Sequence, residues 1–82
     1  MYEVKFSDSA LKQFQKLEKS LQERIVKVLE RIRIRPEVYL IKLVGEDSYR
    51  LRVGDYRIIL DIKEKELLIL VIRIGHRKNV YN

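Results

Sequence analysis

The stretch "YRLRVGDYRI", residues 49–58, sets Arg50, Arg52 and Arg57 around a Gly-Asp pair. Successive side chains of a strand point to opposite faces. Arg50 and Arg52 therefore share one face, and Tyr49, Leu51 and Val53 take the other. Arg57 follows the Gly-Asp pair and returns near Arg52 on the neighbouring strand. Like charges directly opposed on adjacent strands are destabilising. A chain that keeps them either solvates them, with Asp55, Asp61 or Glu46 nearby, or uses them on an anion. Guanidinium suits the anion, because it is planar, permanently charged and bidentate toward phosphate. A second basic group follows: residues 67–82 hold Arg73, Arg77 and Lys78 and no acid. The basic excess sits in two places that can converge in space.

Other chemistries find few residues to use. His76 is the only histidine and there is no cysteine, so neither a Ser-His-Asp nor a Cys-His set can be assembled. A zinc site would have to combine one histidine with carboxylates, a poor donor set. Three glycines form no phosphate-cradling loop. Strand alternation sets His76 opposite Arg77. Tyr81 suits stacking on a nucleic-acid base, unless it belongs to a frayed end.

These residues need a scaffold, and the chain has little material for one. Eighty-two residues with 46% hydrophobic content read as a single domain, residues 1–82, with a small core. The net charge of +6 favours an acidic partner, nucleic acid or protein. No stretch reaches the length of a transmembrane helix, and "MYEVKF" lacks the apolar run of a signal peptide. A cytoplasmic domain is the expectation.

"YEVKFS" alternates as a strand, with Tyr2, Val4 and Phe6 on one face. "SDS" supplies helix caps, and Ala10, Leu11, Phe14 and Leu17 mark a helix of about ten residues. Ser20 and Glu23 have capping-box spacing for a second helix, with Leu21, Ile25, Val28, Leu29 and Ile32 as its stripe. Pro36 is expected to end it. The short joint predicts an antiparallel helical hairpin. "YRLRV", "YRIILDI" and "LLILVIRI" then read as three strands, joined at "GD" and "KEKE". The order β-α-α-β-β-β gives an α+β fold, with the helical hairpin on one face of a mainly antiparallel sheet.

The last strand is unusual. Alternation puts Leu68, Leu70, Ile72 and Ile74 on one face, and Leu67, Ile69, Val71 and Arg73 on the other. Two helices can cover only one face. Either a twisted sheet hides the remainder, or another polypeptide covers it.

"YRLRVGDYRIIL" followed by "VIRIGHRKNVY", behind two helices, resembles the RelE/ParE superfamily of toxins from type II toxin–antitoxin pairs. The resemblance runs from "YEVKFS" to "KNVY" and includes "KLVG" at 42–45. The "GHRKNVY" ending is similar to the RelE branch, whose members are ribosome-dependent messenger-RNA endonucleases. The alternatives within the superfamily are a ParE-like gyrase inhibitor without nuclease chemistry, and an inactive nucleic-acid-binding member acting as corepressor with its antitoxin.

The resemblance implies that Arg57, Arg77 and Tyr81 are catalytic, and that Arg50, Arg52, Lys42, Lys78 and His76 bind substrate. It implies attack of a 2′-hydroxyl on the adjacent phosphate in the ribosomal A site, with no metal or cofactor. Arg57 and Arg77 suit charge stabilisation. The sequence departs from the RelE branch in one respect: arginine stands at positions 50 and 52, where the branch uses lysine. Arginine effectively cannot lose its proton, so Lys42, Lys78 and His76 are left as candidates for the general base. The implied partners are the ribosome with its message and an acidic, RelB-like antitoxin, through which the pair would bind operator DNA. No helix follows the last strand in this sequence. The antitoxin is therefore expected to supply a helix in a groove or a strand at the sheet edge.

Overall fold

The computed structural model describes residues 1–36, the backbone of 41–42, and residues 48–76. Strand β1 is Glu3–Phe6, helix α1 Asp8–Gln15 and helix α2 Lys19–Ile32. Strands β2 (Ile41–Lys42), β3 (Ser48–Val53), β4 (Tyr56–Lys63) and β5 (Leu68–His76) follow, with a 3₁₀ turn at Glu64–Glu66 before β5. The sheet order is β1-β5-β4-β3-β2. Strand β1 runs parallel to β5, and every other pairing is antiparallel. The expected β-α-α-β-β-β order holds, with the two-residue β2 added at the edge.

One core joins the helices to one face of the sheet. Ala10 of α1 and Ile25, Leu29 and Ile32 of α2 bury against Leu51, Val53, Ile58, Leu60, Ile69, Val71 and Ile74. Each large side chain among them contributes roughly 1.5–3 kcal/mol by leaving water. Tyr2, Val4 and Phe6 pack at the margin as the alternation of β1 requires, and Phe6 meets Phe14 edge to face at 5.3 Å. Leu11, read as part of the apolar stripe of α1, is instead exposed.

The helix ends show what positions them. Ser7 caps α1, its Oγ accepting from the Ala10 N–H at 3.0 Å. The capping box at Ser20 and Glu23 does not form. Helix α2 already starts at Lys19, with Glu18 in the cap position and no side-chain cap bond. The joint after α1 is consumed by two turn bonds, from Lys16 N–H to the Gln13 carbonyl and from Leu17 N–H to the Phe14 carbonyl. The chain is thus free to coil again before Ser20 is reached. Nor does Pro36 end α2. The helix stops at Ile32, where the Arg33 carbonyl accepts from Tyr2 N–H and Arg33 Nε donates to the Tyr2 carbonyl, both at 2.9 Å.

Strand β5 corrects the sequence reading most. Its pairing with β4 slips between Ile59 and Leu60: Ile59 faces Arg73, but Leu60 faces Val71. Ile72 is the extra residue of a β-bulge, and the alternation of faces resets after it. Ile74 therefore joins Ile69 and Val71 in the core. Arg73 leaves the side of Ile69 and Val71 and stands with Ile59 on the face away from the helices. Leu68, Leu70, Ile72 and Ile59 are half-buried on that open face.

The bulge occurs where β1 has ended, and side chains take over the edge of β5. Ser7 Oγ donates to the Ile72 carbonyl at 2.8 Å, and Gln13 Oε1 accepts from the Ile74 N–H at 2.7 Å. Replacing Gln13 with alanine leaves the amide of a buried residue without this acceptor. The expected loss is about 1–2 kcal/mol of stability, read from urea denaturation. An unchanged midpoint would mean that water reaches the Ile74 amide.

Candidate functional site

The β3–β4 hairpin brings the arginines together. Gly54 takes a left-handed φ of 58°, as the first central position of a type II′ turn requires. The turn fixes Val53 opposite Tyr56, and hence Arg52 opposite Arg57. In a two-residue hairpin this second pair is the non-hydrogen-bonded one, where side chains stand closest. Arg50 shares the face from two residues further along β3, opposite Ile59. The backbone of Ile41 in turn pairs with Arg50.

The arginines differ in setting. Arg52 and Arg73 are exposed, while Arg50 and Arg57 are half-buried. Arg57 Nε is sealed from solvent. On the β5 side Arg57 faces Gly75, which has no side chain to crowd it. Arg73 stands opposite Ile59, diagonal to Arg57.

Two carboxylates of this face pair with lysines. Asp61 pairs with Lys63 at 3.3 Å, and Glu3 with Lys5 at 3.4 Å. Asp61 lies four residues from Arg57, about 13 Å along the strand. The open face thus divides into a basic end, with Arg50, Arg52, Arg57 and Arg73, and an apolar end, with Leu68, Leu70 and Ile72. A surface that holds guanidinium groups this close is suited to a polyanion, whose phosphates relieve the repulsion.

The other candidates fall elsewhere. His76 pairs with Tyr56 and meets its ring edge to face at 5.5 Å, on the helix side of the sheet rather than beside Arg57. The backbone of Lys42 pairs with Tyr49. Arg77, Lys78 and Tyr81 lie outside the described residues. Arg73 is the addition. Strict alternation sends it to the side of Ile69 and Val71, and only the bulge returns it to the arginine face.

The opposed pair yields a stability test. Arg52→Glu replaces repulsion across the hairpin with attraction, so the thermal midpoint should rise, by the equivalent of up to about 1 kcal/mol at low salt. The gain should shrink as salt is added. Circular dichroism melts decide this, and a lower midpoint would show that Arg52 and Arg57 do not repel each other.

A family model of the ParE toxin of the type II toxin–antitoxin system parDE matches residues 4–81. A protein of Escherichia coli classed as a RelE-like toxin is 36% identical over 99% of this chain and 90% of its own length. The mRNA interferase toxin RelE of Escherichia coli K12 is 30% identical over 94% of this chain and 84% of its own. Among solved structures, the archaeal RelE–RelB complex from Pyrococcus horikoshii OT3 superposes with a TM-score of 0.82 at 30% identity, covering 96% of this chain and 98% of that one. A helical pair on one face of a mostly antiparallel sheet agrees with those matches, and the chain belongs to the RelE/ParE superfamily of toxins from type II toxin–antitoxin systems.

Proposed function

We propose that this toxin is a messenger-RNA endonuclease that acts on the ribosome and is held inactive by an acidic antitoxin. The observation that carries the reading is the Arg52–Arg57 pair, held opposite each other on the open face by the hairpin register, with Arg50 and Arg73 on the same face. Two relatives support it in different ways. RelE of Escherichia coli K12 is an mRNA interferase, and the Pyrococcus protein is bound to RelB.

Cleavage would run by attack of a ribose 2′-oxygen on the adjacent phosphorus. The 2′-hydroxyl loses its proton to a base, the P–O5′ bond breaks, and the departing 5′-oxygen takes up a proton. The products are a cyclic phosphate and a 5′-hydroxyl. Arg57 has the setting to stabilise the charge that builds on the phosphorane, because a shielded, pre-positioned guanidinium needs little reorganisation. Arg50 and Arg52 bind neighbouring phosphates rather than take the proton, since guanidinium stays protonated. Lys42 and Lys78 remain the candidates for the base, because His76 packs on Tyr56 on the helix side of the sheet; Arg77 and Tyr81 are assigned to charge stabilisation and positioning by resemblance. In-line geometry imposed by the ribosome would offset part of what a weak base leaves undone.

The match to the ParE family favours a second reading, inhibition of gyrase without nuclease chemistry. One experiment separates the two. After induced expression, primer extension should find messages cut within codons. Arg57→Ala should lower cleavage by about 10²–10³-fold with an unchanged circular dichroism spectrum. Intact messages together with DNA damage would instead establish the gyrase reading.

A further inference from the structure

The bulge in β5 has an electrostatic consequence as well as a packing one. It moves Arg73 out of the register of Ile69 and Val71 and sets it beside Ile59. Ile59 lies two positions from Arg57 on β4, so Arg57 and Arg73 occupy diagonal positions of one face. Diagonal neighbours stand about 7–8 Å apart. That spacing allows two guanidinium groups to grip successive phosphates of one strand rather than converge on a single one.

Their surroundings suit different tasks. Arg57 is half-buried with Nε sealed, whereas Arg73 is exposed. Among the described residues no carboxylate lies within ion-pair distance of Arg73, since Asp61 and Glu3 are taken by lysines. The half-buried Ile59 and Ile72 flank it, and an apolar floor next to a cation weakens competition from water for a bound phosphate.

We propose that Arg73 is a phosphate-binding residue of the RNA site: it holds the phosphate next to the scissile one and positions the strand across Arg57, without itself acting on the reacting atoms. This rests on the endonuclease reading and deepens it.

The test is single-turnover cleavage of a message on programmed ribosomes, with toxin in excess and its concentration varied. It compares wild type, Arg57→Ala, Arg73→Ala, Arg73→Lys and Arg31→Ala, the last an exposed arginine of α2. Arg73→Ala should raise the half-saturating toxin concentration about tenfold, the loss of one charge-assisted contact. Its maximal cleavage rate should stay within about twofold of wild type, the pattern of lost ground-state binding. The slope of log affinity against log salt should fall by about 0.7, one phosphate contact to a single strand. Arg73→Lys should recover part of the affinity, and Arg31→Ala should match wild type. Arg57→Ala should instead lose maximal rate. If wild type cleaves and Arg73→Ala shows the same half-saturation, or loses only maximal rate, the assignment of Arg73 is overturned and the endonuclease reading stands. If wild type leaves the message intact, or Arg57→Ala cleaves as wild type does, the endonuclease reading falls and takes this assignment with it.

Discussion

Strand β5 must satisfy β1 along one edge, β4 along the other and the helices on one face, and regular alternation cannot meet all three demands. Ile69 and Val71 enter the core, but so does Ile74, which has the opposite parity. The bulge at Ile72 resolves the conflict by adding a residue. The backbone groups it displaces are not left bare, because Ser7 and Gln13 bond them. Ser7 also caps α1, so one side chain fixes the helix start and the bulged edge together. The parity of the core decides which side chains β5 presents on the open face, and Arg73 is among them.

The register of the open face is set by the apolar packing behind it. Leu51, Val53, Ile58 and Leu60 lock the hairpin register from the core side. With that register fixed, Arg52 and Arg57 have no choice but to oppose each other. Such an opposition weakens the hairpin by a fraction of a kcal/mol, small beside the burial that enforces it. A bound polyanion reverses the sign of the interaction. Under the proposed function phosphate would relieve that opposition, a reading consistent with a family whose relatives include an mRNA interferase.

Much of this was readable from residue pattern alone. The period-two alternation of "YRLRV" and the Gly-Asp turn fix Arg52 against Arg57 without any knowledge of the rest of the chain. The "SDS" cluster reads as a cap region from its residue types and its place before an apolar helix, and the structure selects Ser7 from it. The bulge is not readable in this way, since "LLILVIRI" is apolar at both parities and nothing in it marks where the phase changes. That ambiguity hid both the burial of Ile74 and the face of Arg73. The start of α2 escaped for a similar reason. Ser20 and Glu23 have the spacing of a capping box, but the tertiary joint lets the helix begin earlier. His76 is adjacent in sequence to the basic tail, yet it packs against Tyr56 on the helix side.

The central claim is that the open sheet face, and not the helices, receives RNA phosphate. Arginine Nε–Hε resonances report it directly. In a titration of isotope-labelled protein with a single-stranded 2′-O-methyl oligoribonucleotide, which has no free 2′-hydroxyl for the attack, the signals of Arg50, Arg52, Arg57 and Arg73 should shift together and saturate at one concentration. That of Arg31 on α2 should remain in place. A shift confined to Arg31, with the sheet-face signals unmoved, would contradict the account.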